Sequence, residues 1–342
     1  MGRRGRACYC CCRDADGTVD WISHTVADGV ITKVDHNSPC VTYYVESVSG
    51  GGAETGTGTA DDPWTNLNTV FADTCIKSLC TTTGCPMVKV LVKGTIDYTV
   101  NGGSYDFKRK LVLEPWGEDE IIVAVNVINN DAWGVKDCIG IIFKHVDSSG
   151  VSTRSYQEPV GYGFSNCYAS TFDTCNGTGT GKGGVSTGYN LGYGFAGCYS
   201  STFQDCNGTG DGPLTLSSTG RGYGFVGCYS STFSACIGTG TGRHNGEGFS
   251  NCYSSTFDTC DGIGTSAIAN SYGYYSCASS TYHICSGIGT SAGSIGYGFY
   301  NCNNSTFDTC DGASTTCGFY GCAAGSSFID CTATPTGAPC DT

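Results

Sequence analysis

The side chains that could ionise, ligate or attack in this chain are mostly cysteines, 25 of them in 342 residues. Fourteen fall in pairs. The first members are Cys167, Cys198, Cys228, Cys252, Cys277, Cys302 and Cys322, and the second are Cys175, Cys206, Cys236, Cys260, Cys285, Cys310 and Cys331. Partners lie eight residues apart, nine in the last pair, which fits no zinc, redox or haem spacing. Three states stay open: disulfides between neighbouring repeats, disulfides within one, or thiols acting as small buried hydrophobes. The opening MGRRGRACYCCC has neither the apolar stretch nor the cleavage site of a secretory signal, which favours thiols. Cys8, Cys10, Cys11 and Cys12 crowd a basic arm at 1–17 without a distant zinc-spaced partner pair, so it reads as a tail or attachment arm.

Acid and base candidates are sparse. Arg243, His244 and Glu247 cluster where Glu247 replaces a recurring Tyr, and they read as a degenerate repeat with solvated charges. Asp173, Asp258 and Asp308 each follow a Phe, so they are expected on the outside, keeping the surface soluble, with weak calcium binding as the other reading. His145 and His283 read as single structural histidines. From residue 161 onward the basic residues are Lys182, Arg221 and Arg243, too few to grip an acidic polymer. The sequence therefore assigns no catalytic, cofactor or metal residue.

The cysteine pairs belong to a longer phrase. GYGFSNCYASTFDTC (161–175) returns six times at intervals of 20 to 31 residues, ending with CGFYGCAAGSSFIDC (317–331). Units this short cannot enclose a core alone and must stack as a solenoid. Tyr162 and Phe164 are expected to alternate along one strand, with a second strand starting at Phe172. The intervening Gly/Thr/Ser stretches, such as 176–191, vary in length and are expected to form the loop side. Stacking would put Phe164, Phe195, Phe225, Phe249, Tyr274, Phe299 and Phe319 in one internal column. Phe172, Phe203, Phe233, Phe257, Tyr282, Phe307 and Phe328 would form another. Tyr168, Tyr199, Tyr229 and Tyr253 would line an outer face suited to packing or sugar stacking, near the row Thr171, Thr202, Thr232, Thr256, Thr281 and Thr306.

The phrase resembles the short repeats of the pectin-lyase-like right-handed parallel β-helix superfamily, over roughly residues 41–342, with Cys at both small inward positions. That resemblance implies an all-β, right-handed parallel β-helix. It implies little about activity, since lyases, hydrolases, adhesins and viral spikes share the fold. The polygalacturonase-type motifs are absent from the sequence. YYV at 43–45 and DDPWTNL at 61–67 resemble the opening of such helices, where a short N-terminal helix caps the first coil. Asp61, Asp62 and Pro63 are expected to start it, with Trp64, Leu67, Val70, Phe71 and Cys75 on its buried face.

Four regions follow: the arm 1–17, a β-hairpin attachment element 18–40 turning at Asp28-Gly29, the cap and irregular first coils 41–160, and the regular coils 161–342. A net charge of -13 with 14% charged residues leaves no basic stripe for nucleic acid, and no stretch is long and apolar enough to span a membrane. The expected function is a non-enzymatic, self-assembling structural protein of a virion (tail fibre, spike or capsid decoration) or an extracellular filament. Expected partners are further copies or other virion or surface proteins met through the N-terminal region, with a polysaccharide as the further candidate. The other readings are a polysaccharide-degrading lyase or hydrolase and a carbohydrate-binding adhesin.

Overall fold

The computed structural model describes residues 23–27, 30–35, 40–46, 56, 60–72, 87–101, 111–117, 120–128, 130–154, 158–183, 189–214, 219–322 and 324–334. The 1–17 arm, the Asp28-Gly29 turn, Cys75 and most of the tail 333–342 lie outside them. Ser23–Ala27 and Val30–Asp35 pair antiparallel as a hairpin. From Cys40 onward the chain winds into three all-parallel sheets of nine, ten and eleven strands. It is a right-handed parallel β-helix.

Each regular coil contributes one strand to each sheet. In the first repeat, the first wall receives Val160–Ser165, the second Thr171–Asp173 and the third Asn176–Gly183. Successive coils pair in register, Phe172 with Phe203 and Phe203 with Phe233. The third wall corrects the loop expectation, because much of each Gly/Thr stretch is strand. Its glycines point inward onto the backbone of the first wall. A Cβ on Gly179 would lie 2.1 Å from the Tyr193 carbonyl oxygen and 2.3 Å from that of Gly161. Only glycine lets two sheets approach so closely, so a residue usually depleted in strands is required in this one.

Beside this flattened arm, the coil opens into a body filled by aromatic rings. Phe164 through Phe319 stack with centroids 4.6–5.0 Å apart and planes within 6°. Phe172 through Phe328 stack at 4.7–4.9 Å. The two columns meet edge to face, Phe203 with Phe225 at 5.4 Å for instance, the geometry ring quadrupoles favour. Toward the N-terminal end the same core continues with Val, Ile and Leu.

Tyr162 corrects a second expectation. Gly161 and Gly163 face inward, and the ladder skips Gly163, so consecutive Gly163 and Phe164 both point inside while Tyr162 stands on the outer face. The helix is also shorter than expected. It spans Leu67–Ala72 and begins at Asn66, whose Oδ1 accepts the Asn68 amide at 2.9 Å. Trp64 precedes it and instead bridges to Val45, its amide donating to the Tyr44 carbonyl at 3.0 Å. Leu67, Val70 and Phe71 are buried against the first coils.

Candidate functional site

The repeat's polar chemistry is concentrated at its corners. Each regular coil turns at three residues with positive φ, in the first repeat Asn166 (φ 54°), Ala169 (φ 48°) and Thr174 (φ 53°). A left-handed residue costs a side-chain-bearing amino acid roughly 1–2 kcal/mol, so each corner needs support. It comes from the next side chain, which donates back to the carbonyl two residues earlier. At the first corner Cys167 Sγ reaches the Ser165 oxygen at 3.4 Å, and at the third Cys175 Sγ reaches the Asp173 oxygen at 3.4 Å. All fourteen ladder thiols repeat this contact at 3.1–3.6 Å.

The middle corner uses serine, because there the side chain must also accept. Ser231 Oγ donates to the Tyr229 carbonyl at 3.2 Å and accepts the buried Ser201 amide of the preceding coil at 3.1 Å. Thiols accept weakly, hydroxyls well. Ser170, Ser201, Ser231, Ser255, Ser280 and Ser305 form this buried ladder. Their signal, a Ser two residues before each second Phe or Tyr, stood in the sequence unused.

The ladder cysteines are all free thiols. They are buried apart from the partly exposed Cys331. Burial, then the hydrogen-bonded neighbouring thiol, pushes Cys206 and Cys236 above the usual thiol range. For Cys285 the hydrogen bond its thiol shares with Cys260 is the larger cause, with burial adding, and its value reaches about 12. Buried, with their thiols held above the ordinary range, Cys206, Cys236 and Cys285 serve as core and corner donors, not nucleophiles.

Glu247 is a third correction. Instead of being solvated with Arg243 and His244, it is 3% exposed. It occupies the outer row of the first wall, between Tyr223 and Tyr272 in register. Burial raises its pKa to about 6, against hydrogen bonds from Ser250 and Asn245 and the nearby Arg221 charge. His283 is likewise not solitary. Its Nδ1 lies 2.8 Å from Asp258 Oδ1 and its Nε2 3.9 Å from Asp308 Oδ2, on consecutive coils of the second wall. The hydrogen bond holds Asp258 below, and His283 above, their ordinary values. All three side chains are 40–50% exposed, so this ladder contributes little energy.

The outer tyrosines Tyr168, Tyr199, Tyr229 and Tyr253 stack on one another at 4.1, 4.8 and 6.0 Å. The first pair is tilted by 30°, the other two are near parallel, and Tyr229 and Tyr253 stay 39% and 44% exposed, so the row presents ring edges and part of the Tyr253 face. Among the described residues, no group of three or more His, Cys, Asp or Glu is arranged to hold a metal ion, and no helix is long and apolar enough to cross a membrane. No known family model, curated protein or solved structure matches the chain.

Proposed function

We propose that this chain is a structural rod of the pectin-lyase-like type, working as a building element of a virion (fibre, spike or capsid decoration) or of an extracellular filament. The observation that carries this reading is the continuity of the two internal aromatic columns. Among the described residues the ladder thiols and serine hydroxyls tie the turns beside these columns, and Glu247 is enclosed. Chemistry needs one irregular, accessible cluster, whereas a rod needs the same contact repeated.

Negative-stain microscopy of the purified chain should show rods of uniform width that associate in an ordered way. Incubating the same preparation with acidic and neutral polysaccharides should release no products. Cleavage of any polymer in that panel would overturn the reading.

A further inference from the structure

The outer face of the third wall differs from the rest of the surface. Along its centre, Thr178, Thr209, Thr239, Ile263 and Ile288 lie in register on successive coils. Beside them run Thr180, Asp211, Thr241, Thr265 and Thr290. Asp211 is the one charge in these ten positions. Burial raises its carboxyl while neighbouring Lys182 pulls it back down. Apart from Asp211 the face carries only methyl and hydroxyl groups, on a chain of net charge -13. The glycine rows behind it lie against backbone of the first wall, so the face cannot bow inward.

The margins are charged with opposite signs. Asp147, Asp261 and Asp311 fall in one register column where the strands begin, Lys182 lies near the end of its strand, and Arg243 directly follows the strand Ile237–Gly242. Two copies placed face to face can be related by a two-fold axis along the rod or across it. An axis across the rod lays acid over acid. An axis along the rod lays the acidic margin of each copy over the basic margin of the other, with Asp261 within one coil of the opposing Arg243. The five strands that carry these columns, at about 4.8 Å spacing, and five residues at about 3.3 Å give roughly 400 Å² per copy, or about 800 Å² per pair. That is the size of a weak, transient contact.

From this face and its margins we infer that a second copy of this chain docks on the third wall, the two rods lying side by side and pointing the same way. The inference rests on the structural reading above and names its interface. Sedimentation velocity of the full-length chain in reducing buffer should give a dimer at micromolar concentration. The double variant Thr239→Lys/Thr241→Lys should be monomeric with an unchanged circular dichroism spectrum, since both side chains project outward. Asp261→Lys alone should weaken pairing roughly tenfold, through two rim ion pairs per dimer, and adding Arg243→Glu should restore it.

A monomeric wild-type chain, or a dimer indifferent to the threonine variant, overturns the proposal. Failure of the charge swap to restore pairing overturns the parallel arrangement. If Thr232→Lys on the second wall breaks the dimer instead, the rod reading stands and this face falls. Polysaccharide cleavage would sink the rod reading itself.

Discussion

Replacing Phe233 with Ala probes the stacked columns where they are continuous on both sides. Phe233 is fully buried. It stacks on Phe203 at 4.8 Å and Phe257 at 4.9 Å, and meets Phe225 and Phe249 edge to face at 5.4 Å each. Truncating a buried Phe costs about 3–5 kcal/mol from transfer and cavity terms. Neighbouring coils are tied by backbone ladders and cannot collapse into the gap, which puts the expected loss near the upper end of that range. Phe328 occupies the same column in its last coil but is 44% exposed, with contacts to Phe307 and Phe319 only among these rings. Phe328→Ala should cost about 1–2 kcal/mol, since half of the burial term is missing. Urea unfolding followed by far-ultraviolet circular dichroism, in reducing buffer, measures both. Equal losses at the two positions would refute the reasoning, because isolated modules would treat them alike.

Three further outcomes follow from the corners, the glycine wall and the enclosed carboxylate. Gly179→Ala should destabilise by about 1–3 kcal/mol or more, having backbone on both sides, whereas Gly227→Asn should be neutral. Gly227 is a left-handed corner with open space, and Asn166 and Asn251 occupy the equivalent corner in other coils; thermal melts compare the pair. Glu247→Gln should stabilise the chain by about 2 kcal/mol at pH 7.5, from a rise of 4.5 to about 6, and change nothing at pH 4. The sign follows from linkage: a carboxyl raised on folding stabilises below its unfolded value and loses that contribution as pH climbs through 4.5 to 6. Peptide-level alkylation under native conditions should label Cys331 while sparing Cys206, Cys236 and Cys260 until urea unfolds the chain; prompt labelling of those three would contradict their enclosure.

The repeat was legible because its apolar members are large and its corners are short. Phe and Cys at fixed spacing announce a stacked core without knowledge of their surroundings. The glycine strands were not legible, since Gly and Thr of uneven length carry the signature of a loop. What makes them strand is an approach between walls that exists only after coils have stacked. Tyr162 was misplaced for a related reason: two-residue alternation holds within a regular strand, and the irregularity at Gly163 breaks it. Glu247 and His283 were misread because their neighbours lie some 25 residues away in sequence and one coil away in space. The Ser ladder was plainly repeated, yet its purpose depends on an amide of the preceding coil.

The central claim, seven phrases stacked in register, is tested most directly by one distance. Spin labels attached through unnatural residues at Thr171 and Thr306, avoiding the native thiols, sit on the outer face of the second wall five coils apart. The account predicts a single narrow dipolar distance near 24 Å, five steps of about 4.8 Å, across 135 residues of sequence. A broad distribution, or a mean far beyond that value, would contradict it.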